Sequence, residues 1–268
     1  MRAYYRIGGL QVLNILSFIA VVVINGLADF LPINGQTTGA VSNQYPNEFT
    51  PAPVTFSIWA LIYSLLFLFC IYQGSTLFET ARRTITKKEM LVDRIGYLFI
   101  LSCVLNCCWI LAWHYHLLFI SVLIMLGLLI TLIRIFRKLH NPDIHWDQQS
   151  KWFVYVPFSI YLGWISVATI ANITAWLVGT GWSGGSIAEW IWACAMVLVA
   201  FTLAMTMLLK RGNIFFALVI VWACCGIALR QHNVHGGLNN VAVTALCAAG
   251  ALLLLAAARW HNIRTVFN

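Results

Sequence analysis

WFVYVPFSIYLGWISVATIANITAWLV, residues 152–178, runs without a single Asp, Glu, Lys, Arg or His. A helix needs about 20 mostly apolar residues to cross the hydrocarbon core of a bilayer, and this stretch exceeds that length. Seven further runs qualify, at about 10–28, 54–73, 95–113, 117–136, 188–209, 214–229 and 237–258. The composition agrees. With 61% hydrophobic and 9% charged residues, a chain of 268 residues has too little polar surface for a water-soluble fold. The expected fold class is an all-α polytopic membrane protein with eight transmembrane helices, the seventh of them short.

The connectors orient the chain. Arg2, Arg6, Arg82, Arg83, Lys87, Lys88, Arg94, Arg134, Arg137, Lys138, Lys151, Lys210, Arg211, Arg259 and Arg264 all fall on one side of the bilayer. Arg230 alone falls on the other. The positive-inside rule makes the basic side cytoplasmic, so both termini are expected there. Adding or removing one span would scramble this segregation. The net charge of +8 then reads as a topology signal that also meets anionic headgroups, and not as a nucleic-acid surface. The Arg82–Arg94 connector also holds Glu79, Glu89 and Asp93 and reads as a short solvated helix. Asn25-Gly26-Leu27 offers no small-x-small cleavage site, so the first run is expected to stay as a span. The expected location is a bacterial inner (plasma) membrane.

What the spans lack is informative. Asp29, Glu48, Glu79, Glu89, Asp93, Asp143, Asp147 and Glu189 belong to connectors or helix ends, and no Lys or Arg reaches mid-bilayer depth. Intramembrane ionisable groups mark ion pathways and proton relays. A proton-coupled transporter, a pump, a voltage sensor and a retinal Schiff base are therefore not expected. Cys70, Cys103, Cys107, Cys108, Cys194, Cys224, Cys225 and Cys247 all fall inside spans and read as polarizable packing residues. His114, His116, His232 and His235 sit on the outer side, but only Glu189 could support them as ligands, and no metal site is assigned.

The spans do carry aromatic stripes. Phe56, Trp59 and Tyr63 share a helix face just after Pro51-Ala52-Pro53. Asn106, Trp109 and Trp113 do the same in the third span. In the fifth, Tyr161, Trp164, Ala168, Asn172 and Trp176 recur at steps of three and four. An indole deep in a membrane needs a partner for its N–H that lipid tails cannot give. If the three stripes converge, they line a pocket for a flat, mostly apolar molecule with a few polar edges. The other reading is that they fill a bundle core, with the Asn side chains as interhelical bonds.

Phe56-x-x-Trp59-x-x-x-Tyr63, Asn106-x-x-Trp109 and Tyr161-x-x-Trp164-x-x-x-Ala168-Thr169-x-x-Asn172-x-x-x-Trp176 resemble the translocator-protein family, also called TspO/MBR or tryptophan-rich sensory proteins. The resemblance covers residues 1–178. It implies a five-helix bundle whose interior pocket, capped by the connector between the first two helices, binds porphyrins and other hydrophobic ligands. Carried over, Trp59, Asn106, Trp109, Tyr161, Trp164, Ala168 and Asn172 would form that pocket, with protoporphyrin or haem as its ligand. Val54, Ile58, Ile110-Leu111 and Ile160 depart from the family pattern, and the capping connector, about Asp29–Pro53, is longer than usual.

Residues 179–187 then form a Gly-rich connector, and 188–268 three additional helices and a tail with no counterpart in a five-helix pattern. The leading functional expectation is a sensory or transport-linked membrane protein that binds a flat hydrophobic ligand. A helical subunit of a larger membrane complex, or a homo-oligomer docked through the last helices, is the second reading. A membrane enzyme acting on a tetrapyrrole or other lipid-soluble substrate is the third, weakened by the lack of a carboxylate–histidine pair within any span. Catalytic residues are not assigned.

Overall fold

The computed structural model describes residues 2–31, 33–77, 84–141, 144 and 146–267, with backbone alone for 2–4, 29 and 260–267. Of the residues that set the topology, Glu79, Arg82, Arg83 and Asp143 lie outside the described residues; Arg2, Asp29 and Arg264 are described without their side chains. The described chain is all helical and integral to the membrane. Its long helices are α1 (Arg2–Phe30), α2 (Ile58–Gly74), α3 (Leu98–His114), α4 (Leu118–Leu139), α5 (Val156–Gly179), α6 (Glu189–Arg211), α7 (Ile214–His235) and α8 (Asn240–Phe267). By length and composition seven spans qualify outright. The bent pair Lys87–Ile95 and α3 makes the eighth.

The helix α5 is the centre of the molecule. Within its apolar window 83% of residues are buried, against 28–56% in the other qualifying spans, whose outer faces meet lipid. It packs on α2, α4 and α7, while α1 packs on α2 and α3, and α8 closes against α6 and α7. A π-helical stretch, Lys151–Tyr155, leads into α5 ahead of Pro157. That wider turn suits a residue with no N–H to give the ladder.

Two expectations need correction. The seventh span is not short: α7 runs on to His235, which carries Arg230 and His232 on the helix instead of in a connector. A basic residue near a helix end mimics a loop when only charge is read. The connector helix Lys87–Ile95 is also not simply solvated. Its Thr86/Glu89 capping box fixes the start, Gly96 at φ 60° turns the chain by 54° into α3, and Leu91, Val92 and Ile95 are buried.

Polar contacts at the two ends agree with the threading. Near the termini, Arg6 Nη2 pairs with Asp93 Oδ1 at 2.5 Å, Lys87 Nζ with Asp147 Oδ2 at 3.3 Å, and Arg259 donates to the Leu209 carbonyl at 2.9 Å. At the opposite end, Glu48 faces His235 Nε2 at 3.5 Å and Gln231 donates to the Glu48 carbonyl at 2.7 Å.

The last three helices are bolted to the first five through α7. The Asn213 side chain caps α7 and donates to Ser159 Oγ on α5 at 3.0 Å. Further out, Ala52 N–H donates to the Gly226 carbonyl at 2.9 Å and Trp222 Nε1 to the Thr55 carbonyl at 2.9 Å. The segment held there, residues 51–57, also walls the cavity described next.

Candidate functional site

The three aromatic stripes converge. Trp59 is the hub: its ring centroid lies 5.4 Å from Tyr63, 6.0 Å from Trp109, 6.1 Å from Trp164 and 6.2 Å from Tyr161. Phe56 meets Trp164 edge-on at 6.0 Å, and Trp109 stacks on Trp113 at 5.9 Å. Offset and edge-to-face pairs of this kind add about 0.5–1.5 kcal/mol each beyond the area they bury.

Between them lies a cavity of about 40 Å³, walled by Phe56, Trp59, Trp109, Trp113, Trp164, Val167, Ala168, Ala171 and Asn172. Thr38, Ser42 and Pro51 close it from the connector between α1 and α2, where Thr38–Asn43 forms a short capping helix. Seven of the expected residues thus share one wall. Tyr63, Asn106, Tyr161 and Trp176 do not line it. Trp176 packs instead against Phe119 at 5.3 Å.

Tyr63, Asn106 and Tyr161 belong to a polar relay beneath the cavity. The Tyr63 hydroxyl donates to Asn25 Oδ1 at 2.7 Å, Asn25 Nδ2 to Asn106 Oδ1 at 2.8 Å, and Asn106 Nδ2 to the Tyr161 hydroxyl at 3.3 Å. This chain stitches α2, α1, α3 and α5 together where lipid offers no competing partner. Asn25 joins the set only through these contacts. Its isolated position in the first span gives no spacing to recognise.

Asn172 is on the wall, yet both ends of its amide are engaged. Its Oδ1 accepts from Trp109 Nε1 at 2.7 Å and its Nδ2 donates to Ser121 Oγ at 2.8 Å. Trp113 Nε1 donates to the Thr38 carbonyl at 3.2 Å and so holds the capping helix. Trp164 differs: it is 2% exposed, and its Nε1 has no hydrogen-bond partner among the described residues. Buried donors are nearly always paired, so this one calls for an explanation.

The cap is fastened by two more bonds. The Tyr45 hydroxyl meets His116 Nδ1 at 2.8 Å, and Asn34 Nδ2 donates to the His114 carbonyl at 2.9 Å. Burial raises the Tyr45 pKa above its ordinary value, so this latch does not open by phenol ionisation near neutral pH. Two other outer histidines are engaged through one nitrogen: His114 Nδ1 lies 2.8 Å from the Ile110 carbonyl, and His235 Nε2 faces Glu48. Among the described residues no group of three or more His, Cys, Asp or Glu is placed to hold a metal ion.

A larger cavity, about 380 Å³, opens between α5 and α6 at the outer end, with Phe49, Leu177, Trp182 and Trp192 in its wall. None of the residues in the three sequence stripes lines it. Its walls come from α5, residues 47–49, the Gly-rich connector and α6, and α6 touches α5 only slightly.

A capped aromatic cavity inside a polytopic helical bundle defines the class as an integral membrane protein with an aromatic interior. The family model described as TSPO-like protein matches residues 11–258, so the chain belongs to the TSPO-like protein family. The matched stretch runs past the Gly-rich connector and through α6 and α7 into α8. Comparison with curated proteins and with solved structures gives no match.

Proposed function

We propose that this protein binds a flat, largely apolar ligand of the tetrapyrrole type between the faces of Trp59, Trp109 and Trp164. The observation that carries the reading is the fully buried Trp164 N–H, without a partner among the described residues, on the wall of a capped cavity where the indole donors of Trp109 and Trp113 are satisfied and Trp59 is only partly buried. An acceptor on a ligand edge would complete it, and the Thr38 and Ser42 hydroxyls sit opposite for a second polar edge.

A volume of about 40 Å³ holds little more than one water molecule, whereas sites for drug-sized ligands span about 300–1,000 Å³. Binding therefore requires the cap to lift off the aromatic floor. The cap rests on the Trp113–Thr38, Tyr45–His116 and Asn34–His114 bonds, each worth on the order of 1 kcal/mol. A lid held this weakly fits a sensory or transport-linked role, with the protein in a bacterial inner membrane and both termini cytoplasmic.

Titrating protoporphyrin against intrinsic Trp fluorescence in detergent tests the reading. Saturable quenching at one ligand per chain is expected, and Trp164→Phe, which keeps a ring but no N–H, weakens it about tenfold. Quenching that never saturates, or an affinity indifferent to Trp164→Phe, would count against the site. Tyr45→Phe removes one latch and is expected to speed porphyrin association about fivefold, read by stopped-flow quenching.

A further inference from the structure

A third cavity, about 280 Å³, lies at the end of the molecule that carries the termini, between α4 and α6. Ile133, Phe136, Leu162 and Met207 give it an apolar wall, and Arg137, His140 and Arg211 give it a polar one. No described carboxylate lines it. Neither guanidinium has an ion-pair or hydrogen-bond partner among the described residues, unlike Arg6, Lys87 and Arg259 nearby on the same side.

His140 caps α4, and its ring stacks on Phe136 at 4.4 Å and meets the backbone of Arg211 at the end of α6. Its Nδ1 is buried without a hydrogen-bond partner among the described residues. Burial, and then the positive charge of Arg211, hold the imidazole below its ordinary pKa, so it is neutral near pH 7 and one ring nitrogen is an acceptor. Among the described residues, two cations without a partner, an apolar wall that includes the exposed Ile133 and an acceptor without a donor meet in one place.

We propose that this cavity is a binding site for one anionic phospholipid of the cytoplasmic leaflet, with a hydroxyl-bearing headgroup such as phosphoglycerol. The Arg137 and Arg211 guanidiniums take the phosphodiester, to which Arg can donate two parallel N–H bonds. A headgroup hydroxyl donates to His140 Nδ1. The acyl chains lie along the Ile133–Phe136 and Met207 faces. Basic pockets between membrane helices on the cytoplasmic side suit such headgroups because the leaflet itself supplies the anion. The lipid would also bridge α4 and α6, pinning the last three helices to the first five at the end opposite the Gly226 contact.

Native mass spectrometry of the full chain in a neutral detergent tests the proposal, with phosphatidylglycerol and phosphatidylcholine of identical acyl chains. One phosphatidylglycerol per protein is expected, retained at least about tenfold better than phosphatidylcholine. Arg137→Gln with Arg211→Gln abolishes the preference. Lys138→Gln with Lys210→Gln, which removes the same charge from residues that do not line the cavity, leaves it intact. Equal retention of the two lipids, or equal losses in the two double variants, would overturn the site. A free-phosphate site is the outcome if soluble glycerol phosphate displaces the lipid at comparable concentration, and that too overturns the assignment to a lipid.

Discussion

Gly226→Ala lowers the thermal stability of the detergent-solubilised protein by about 3 kcal/mol, the upper part of the range for overpacking a tight interior. A Cβ at this position would sit inside the van der Waals envelope of the Thr55 hydroxyl, 2.7 Å from its Cγ2 and 2.9 Å from its Cβ. Thr55 is fully buried and leads into α2, so it has no free space to turn into. The Gly226 carbonyl must also stay in place to accept from Ala52. Thr55→Ala removes the hydroxyl and Cγ2. Because that hydroxyl has no partner among the described residues, the change alone is close to neutral, and by removing the two shortest contacts while the 2.9 Å Cβ contact stays it restores part of the stability lost in Gly226→Ala. Thermal unfolding of the two single variants and the double variant reads this coupling. Additive losses would show that α7 and the 51–57 segment do not press on each other as described.

Asn172→Leu is the second large effect, expected to cost about 3 kcal/mol although leucine has nearly the right volume. The substitution leaves Trp109 Nε1 without its acceptor and Ser121 without its donor, and both are buried. The stranded Trp109 N–H carries a desolvation penalty of about 1–3 kcal/mol, and Ser121, which still donates to the Leu118 carbonyl at 2.7 Å, adds the smaller loss of one bond. Freed of its anchor, Trp109 loses the orientation that stacks it on Trp113, so porphyrin quenching should weaken along with stability. Leucine at 172 with unchanged unfolding would show that the amide is dispensable as a clamp.

Much of this molecule is legible in its residue pattern. The dispersal of Lys and Arg gives eight crossings, and the steps of three and four put Trp59, Trp109 and Trp164 on faces that meet. Periodicity defines a face, however, and not the distance between helices. Whether facing indoles enclose a pocket or stack on one another depends on crossing geometry, which is why a site expected to be open is closed down to about 40 Å³. The same limit hides the relay through Asn25 and the role of Asn172. A neutral amide in a span reads alike as ligand contact and as interhelical bond until its neighbours are placed. The junction between α7 and the cap depends on one glycine against one threonine far away in sequence, and no local signal marks it. Arg230 hides the reach of α7 to His235, because a charge that reads as loop sits inside the helix.

An experimental structure of the protein saturated with protoporphyrin examines the ligand site most directly. Expected is a single macrocycle between Trp59, Trp109 and Trp164, an acceptor within hydrogen-bond distance of Trp164 Nε1, and the Thr38–Asn43 helix lifted away from Trp113. A macrocycle seated instead between α5 and α6, or a cap and aromatic floor unchanged beneath bound ligand, would contradict it.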